Sequence, residues 1–352
     1  MRRTPSAAVG AILSIVLAAC SSAATPSSAP GSSPSEALSG SASPVASSLA
    51  SPSQAVASSA PTSASASASA SATVSASASA SASASASATA GACDKEQLTL
   101  ATPGTLTIGT DNPAYPPYFL ENDGDSQTAP WELGDPTNGT GFESAVAYAI
   151  ADRLGFSEDE VTWTVVPFAN AFAPGPKSFD LDLNQVSFKP ERAQTADLSE
   201  GYYFGAQSLV VMKDGPLASA TSVAALKDAT FGAQVGTTSY DAIVSVIAPT
   251  TEPKVYDTND AAIEALKQGT IDGVVVDLPT ADFITNVQLE GSTILGQFAA
   301  GTPEYFSAVL SKGSPLTACV NAAIAELTAD GTLDRLASKW LPFQDSVPTF
   351  QP

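Results

Sequence analysis

Histidine is absent from the 352 residues. Without imidazole, Ser-His-Asp and Cys-His catalysis and the usual zinc sites are excluded. Basic residues are scarce, 14 Lys and Arg against 35 Asp and Glu, and the net charge is −21. Such an acidic surface repels nucleic acid and anionic lipid, so we expect no nucleic-acid partner. The cysteines, Cys20, Cys93 and Cys319, are too few and too scattered for a four-thiolate metal site, and we predict neither a metal nor a cofactor.

The amino-terminal segment has the layout of a secretory signal. Arg2 and Arg3 precede an apolar run over residues 7–19, which is too short to span a bilayer. Leu17-Ala18-Ala19-Cys20 resembles a bacterial lipobox, which predicts a signal peptide over residues 1–19 and lipid on Cys20. The alternative is an ordinary Ala-x-Ala cleavage site that happens to precede a cysteine.

A low-complexity segment of Ser, Ala, Pro and Thr follows the predicted cleavage site and runs to residue 92. It lacks the large apolar side chains that would offset the entropy of ordering the chain. We predict that residues 20–92 form a disordered tether from the lipidated cysteine. As a flexible coil it would span roughly 50 Å from end to end.

Strands and helices alternate in the rest of the chain. Residues 105–110 and 271–277 are apolar runs typical of buried strands, whereas residues 141–155 have helical apolar spacing and end at Gly155. Asn259 or Asp260 is the expected cap of a helix over residues 261–268. The alternation predicts an α/β fold, in which ligands bind outside the carboxyl ends of the strands.

Polar residues follow a predicted strand over residues 179–183. Gln185 and Ser187 stand two apart, so on a strand they would point to the same side, and Arg192 follows one short turn later. An arginine fork grips a carboxylate through two parallel hydrogen bonds. The stretch therefore indicates a site for a small anion, and the alternative is a surface turn whose arginine forms an ion pair.

Two further places have the chemistry of a ligand site. Thr237 and Thr238 begin a helix, where bare amides and hydroxyls can bind an anionic group, although simple N-capping explains them equally well. Asp277 ends a buried strand, where its carboxylate can receive an ammonium group or cap the helix that follows.

Taken in order, these motifs resemble the amino-acid-binding proteins of ABC importers. The resemblance covers residues 93–352 and rests on an ordered set of motifs, namely Tyr115-Pro116-Pro117-Tyr118, Gly141-Phe142-Glu143, Arg153-Leu154-Gly155, Ser187 to Arg192, Val235-Gly236-Thr237-Thr238 and Ala265 to Asp272 leading to Asp277. The family implies a two-lobe type II periplasmic-binding-protein fold with a hinge of two crossover strands. We place the first part of lobe 1 at residues 93–210, lobe 2 at 211–300, and the return to lobe 1 with the C-terminal helices at 301–352.

The resemblance also implies residue roles. Arg192 would clamp the α-carboxylate of an amino acid with help from Thr237 and Thr238. Asp277 would take the α-ammonium group together with Ser187 and the carbonyl or side chain of Gln185. The remaining candidates surround the ligand's side chain: Tyr115 and Tyr118 would pack over it, and Asp111 lies where some relatives meet a cationic end.

Further expectations follow from the same resemblance. A disulfide between Cys93 and Cys319 would tie the start of lobe 1 to a C-terminal helix, unless both remain thiols. Residues 121–140 are longer and more polar than usual for the family, and Lys189-Pro190 replaces its commoner Thr-Glu or Thr-Pro.

The implied function is that of an extracytoplasmic, lipid-anchored and monomeric binding protein without enzymatic activity. It would deliver a free amino acid, polar or cationic in preference, to a permease and ATPase complex. A sensor input domain and a lyase or dehydratase on the same fold are the alternatives, and Glu143 and Asp111 are the candidate acids or bases for the latter.

Overall fold

The computed structural model describes residues 93–121, 129–298, 304–342 and 347–351. The predicted signal peptide, Cys20 and the predicted tether lie outside these residues. No helix within the described ranges has both the length and the apolar character needed to cross a membrane.

Strands and helices alternate along the described residues. The strands are β1 (Leu106–Thr110), β2 (Val161–Val165), β3 (Leu181–Asp182), β4 (Ala196–Gly205), β5 (Gln207–Met212), β6 (Phe231–Gln234), β7 (Lys254–Tyr256), β8 (Gly273–Asp277), β9 (Ser292–Gln297) and β10 (Glu304–Ser311). The α-helices are α1 (Phe142–Arg153), α2 (Phe168–Ala171), α3 (Thr238–Ala242), α4 (Asn259–Lys267), α5 (Leu278–Phe283), α6 (Leu316–Ala329) and α7 (Thr332–Trp340).

Each lobe is built on one five-stranded sheet. The first has the order β2-β1-β3-β10-β4, in which β1 pairs in parallel with β2 and β3, and β10 is antiparallel to β3 and β4. The second has the order β7-β6-β8-β5-β9 with the same pattern of directions. The two lobes therefore share one topology, and the predicted α/β class with two lobes is confirmed.

The chain changes sheets immediately after β4. Gly205 is the last residue of β4 and Gln207 is the first of β5, which pairs with β8 and β9 of the second sheet. The change of sheet therefore lies five residues before the predicted boundary after residue 210, which divided the strand over residues 207–212 between the two lobes. The return to the first sheet falls between β9 and β10.

The C-terminal tail contradicts part of the predicted return to lobe 1. Helices α6 and α7 pack on the first lobe as expected, but residues 347–351 run back to the second. Phe350 is buried in the second lobe's core, where its ring stacks on Phe298 at 5.1 Å between centroids. Thr349 and Gln351 form bridges with Gln297 and Ser222. Burial of the Phe350 ring supplies the physical reason for this route.

Helix ends follow the local sequence with one correction. Helix α1 stops before Gly155, whose φ of 83° few other residues tolerate. Helix α4 begins two residues earlier than predicted, because the side chain of Thr258, rather than Asn259 or Asp260, accepts a hydrogen bond from the Ala261 amide.

A disulfide joins Cys93 to Cys319, with Cα atoms 5.4 Å apart. It connects the first described residue to helix α6, so both ends of the first lobe's chain are held together. The bridge lies against the first lobe's core.

Replacing Cys93 and Cys319 together with serine is expected to lower the free energy of unfolding by about 2–5 kcal/mol, because the bridge closes a long loop. The two cysteines are 226 positions apart. Urea unfolding followed by circular dichroism measures the change, and wild-type protein in reductant serves as the control. Equal midpoints for the oxidised wild type and the double variant would contradict a stabilising bridge.

Candidate functional site

A cleft lies between the carboxyl ends of the strands of the two lobes. Eight of the nine predicted ligand residues line it: Asp111, Tyr115, Gln185, Ser187, Arg192, Thr237, Thr238 and Asp277. The lining also includes residues that the sequence analysis did not single out, among them Phe168, Asn184, Gln234, Ser239, Asn259 and Thr280. Both lobes contribute, so the complete lining exists only when they are close together.

Arg192 is buried at the cleft and is only 5% exposed, which rules out the surface-turn alternative. Its Nη1 donates to the carbonyl oxygen of Ser187, and its Nη2 donates across the cleft to the carbonyl oxygen of Gly236 at 2.9 Å. The guanidinium lies over the rings of Phe168 and Phe172, with Cζ 5.4 and 4.4 Å from their centroids. Burial lowers the pKa of Arg192 to about 10, so it stays cationic.

Arg192 retains hydrogen-bonding capacity at its Nε atom. Among the described residues, Nε of Arg192 is buried and has no hydrogen-bond partner. A buried N–H without an acceptor is costly, so the arginine is prepared to receive a further acceptor such as a carboxylate oxygen. The two phenylalanines that flank it were missed, although their spacing of four residues directly after β2 could have indicated an aromatic wall.

Asp277 lies at the end of β8 in the second lobe. Its side chain makes no capping bond to helix α5, which disfavours the capping alternative. Oδ1 accepts a hydrogen bond of 2.7 Å from Nε2 of Gln207, the residue directly opposite on β5. Burial and then the nearby charge of Glu304 raise the pKa of Asp277 well above its usual range.

The two threonines at the start of α3 have different tasks. Thr237 is the N-cap, because its hydroxyl oxygen accepts from the Tyr240 amide at 3.3 Å and its hydroxyl donates to the Gln234 carbonyl at 2.8 Å. The capping alternative therefore holds for Thr237. The hydroxyl of Thr238 instead points across the cleft to Glu304 and to Ser187, 3.3 Å away.

Gln185 follows a strand, as predicted, but does not lie on one. Strand β3 ends at Asp182, and Gln185 has a left-handed φ of 50°. Its backbone amide donates to Glu143 at 2.9 Å, and its side-chain amide donates to the same carboxylate. The backbone amide and the side-chain nitrogen of Gln185 are therefore both engaged by Glu143.

The predicted side-chain contacts divide into two groups. Tyr115 lines the cleft, and its hydroxyl donates across it to Oδ2 of Asp260 at 2.8 Å. Asp111 also lines it, but its carboxylate accepts from the amides of Asn112 and Phe168. Tyr118 does not line the cleft; it is 1% exposed in the first lobe's core, and its hydroxyl lies 3.2 Å from that of Thr280.

The lobes are in contact, so the structure is a closed form. An ion pair of 2.5 Å joins Lys189 of the first lobe to Asp241 of the second. The bonds from Tyr115 to Asp260 and from Arg192 to Gly236 cross the same cleft. Lys189, which departs from the family's commoner residue, thus takes part in closure.

The closed lobes with their polar cleft define the class of hinge-closing solute-binding proteins. Residues 106–343 match the family of bacterial extracellular solute-binding proteins, family 3, and the chain belongs to this family. The family and fold predicted from the sequence are confirmed.

Individual relatives agree with this assignment. The L-cystine-binding protein TcyJ of Escherichia coli K12 is 29% identical over 240 residues, 67% of this chain and 82% of its own length. An ancestral arginine-binding protein bound to glutamine is 28% identical with a TM-score of 0.54, over 68% of this chain and 98% of its own. An ancestral amino acid-binding protein described as a precursor of cyclohexadienyl dehydratase is 26% identical, with a TM-score of 0.53, over 67% and 95%.

Behind the cleft, Asp182 is a buried carboxylate on β3. It is fully buried, and neither oxygen has a hydrogen-bond partner among the described residues. A Cβ atom at Gly109 would lie 2.6 Å from its Oδ2, so the carboxyl group occupies space that only glycine leaves. Burial, then the charges of Glu143 and Asp111, raise the pKa of Asp182 well above its usual range, opposed by Lys177.

Asp182→Asn is expected to stabilise the protein at alkaline pH. Because the folded-state pKa of Asp182 is raised, wild-type stability is highest below the unfolded pKa of about 4 and falls as pH rises through the folded pKa. The variant has no carboxyl group at this position, so it keeps the unfolding free energy that the wild type loses. The loss is about 1.4 kcal/mol per unit of difference between the folded and unfolded pKa values of Asp182. Urea unfolding at several pH values tests this, with the exposed Asp214→Asn as control; parallel curves for wild type and Asp182→Asn would refute it.

Proposed function

We propose that the chain captures a free amino acid in the cleft and delivers it to the permease and ATPase of an ABC importer. The observation that carries this proposal is the pair of opposite charges on the two sides of the cleft. Arg192 belongs to the first lobe, and its Nε–H has no hydrogen-bond partner among the described residues, while Asp277 belongs to the second lobe and is half-buried. A zwitterion requires both groups at once, so binding and closure are coupled.

In this proposal each end of the ligand has its own partners. The α-carboxylate lies against Arg192 and the amide of Thr238 at the start of α3. The α-ammonium lies against Asp277, with Ser187 and the carbonyl of Gln185 completing its acceptors. These groups share one cleft lining, which supports the assignment.

The lining favours a polar or cationic ligand side chain. Besides Asp277 it contains Asp111, and the charge opposite these two carboxylates is that of Arg192. Amides of Asn184, Gln234 and Asn259 add neutral hydrogen-bonding groups. The relatives named for cystine, arginine and glutamine have ligands of this general character.

The proposal assigns no catalysis to the chain. Glu143 is fully buried and accepts from Gln185 and from the Tyr202 hydroxyl, and Asp111 accepts from two backbone amides. Both carboxylates are therefore engaged as hydrogen-bond acceptors within the protein. These engagements disfavour the lyase or dehydratase alternative, although one similar structure is described as a dehydratase precursor.

We further propose that the protein is a monomer anchored outside the cytoplasm by lipid on Cys20. The lipobox-like sequence before Cys20 and the Ser- and Ala-rich segment that follows support this part of the proposal. Removal of residues 1–19 would leave a long tether between the lipid and the folded lobes.

A thermal-shift screen of the full chain against the standard amino acids, ornithine, citrulline and cystine tests the function. A ligand that binds only the folded state raises the melting temperature by mass action. We expect a rise with a few polar or cationic amino acids. The absence of any rise across this panel would overturn the proposed function.

Arg192→Ala is expected to weaken amino-acid binding by about 2–5 kcal/mol, because the ligand's carboxylate then lacks its buried charge partner. Isothermal titration calorimetry with the best ligand of the screen measures the loss. Arg153→Ala is the matched control, since Arg153 pairs with Glu326 and Asp330 at the surface, outside the cleft lining. Equal affinities for the two variants would refute the assignment of Arg192.

A further inference from the structure

Glu304 connects both lobes at the hinge. It is the first residue of β10, the strand by which the chain returns to the first sheet. Its Oε1 accepts from the Ser187 hydroxyl of the first lobe at 2.9 Å and from Nε2 of Gln207 of the second at 2.7 Å. The hydroxyl of Thr238 bonds to the same oxygen. One carboxylate oxygen therefore holds two of the groups that line the cleft.

Glu304 and Asp277 form an acid pair bridged by one amide. Nε2 of Gln207 lies 2.7 Å from Oδ1 of Asp277 and 2.7 Å from Oε1 of Glu304, so these oxygens are separated by at most twice that distance. Gln207 is only 5% exposed, and its own Oε1 is buried without a hydrogen-bond partner among the described residues. A neutral amide satisfies hydrogen bonds but does not neutralise two charges.

The surroundings leave this acid pair with excess negative charge. The titratable groups that act on Asp277 are Glu304, Arg192, Tyr118 and Tyr203. Burial holds the pKa of each tyrosine above its usual value, so both are neutral. Arg192 is the cation among them, and its fork donates to backbone carbonyls rather than to either carboxylate.

We propose that Glu304 is a positioning residue for the ligand's ammonium group. The ammonium group offsets the negative charge of the acid pair, and a proton on Asp277 competes with it. This inference rests on the proposed function. Asp277 lines the cleft and meets the ammonium directly, whereas Glu304 acts through Gln207, Ser187 and Thr238. Its carboxylate adds negative potential at the ammonium position and orients the hydroxyls on both sides of the cleft.

The expected pH dependence follows from this competition. Burial and the nearby charge of Glu304 raise the pKa of Asp277. As pH falls, protonation of Asp277 removes the charge that attracts the ammonium, so ligand affinity falls. Without the Glu304 charge, Asp277 is easier to ionise, and the loss of affinity moves to lower pH.

Glu304→Gln tests the proposal because glutamine keeps an acceptor oxygen and removes only the charge. Calorimetry of the full chain with arginine, cystine and glutamine, from about pH 7.5 to about pH 5, measures the dissociation constants over the range in which a raised carboxylate pKa has its effect. We expect the variant to bind about tenfold more weakly at the higher pH, the equivalent of one pKa unit. This ratio should shrink towards the lower pH.

Glu290→Gln is the matched control, because Glu290 is exposed before β9 and its removal changes the net charge equally. The proposal is overturned if Glu304→Gln and Glu290→Gln share the affinity and pH dependence of the wild type. If the wild type binds none of the three amino acids at any pH, the proposed function fails and this inference fails with it. If the wild type binds an amino acid and both variants bind it with the same affinity and pH dependence as the wild type, only the inference about Glu304 is overturned.

Gln207→Met provides a second test if Glu304→Gln does not fold by circular dichroism. It removes the shared amide and leaves both carboxylates, so their repulsion increases. We expect the fall in affinity to begin at a higher pH than in the wild type. An unchanged pH profile in a folded Gln207→Met protein would overturn the proposal.

Discussion

Arg192 and Asp277 belong to different lobes, and when the lobes meet Arg192 is buried and Asp277 is half-buried. A buried charge is tolerated only when hydrogen bonds or an opposite charge compensate it. Arg192 obtains part of that compensation from the carbonyl oxygen of Gly236 on the second lobe, and Asp277 obtains it from Gln207 on the neighbouring strand. The closed form therefore depends on how completely these charges are satisfied. In the proposed function, a zwitterion in the cleft supplies a carboxylate to Arg192 and an ammonium group to Asp277.

The sheet topology places these groups where they can act together. Both sheets have the same strand order, and each contributes the carboxyl ends of its parallel strands to the cleft. Strands β4 and β10 are neighbours in the first sheet and adjoin the crossover segments, so a small rotation there changes every contact across the cleft. Glu304 begins β10 and is thus placed to connect hinge and cleft.

Much of this arrangement could be predicted from residue patterns. The strand predicted over residues 105–110 is observed as Leu106–Thr110, and Gly155 was recognised as the residue at which α1 has ended. Errors arose where long-range packing overrides local pattern. Tyr118 belongs to the core rather than the cleft, and the burial of Phe350 in the second lobe takes the tail away from the first. Neither contact leaves a periodic signal in the sequence.

The sequence by itself determined the α/β class, because strand ends, helix starts and their order are local properties of the chain. The resemblance of its motifs to a known family added the two lobes and most of the residues that line the cleft. Only the tertiary structure decided which charges share an environment. Gln207 meets Asp277 and Glu304 across separations of 70 and 97 residues, and Arg192 meets Gly236 across 44. Such long-range contacts depend on sheet pairing and lobe closure. Burial then determines the protonation states of the groups in contact.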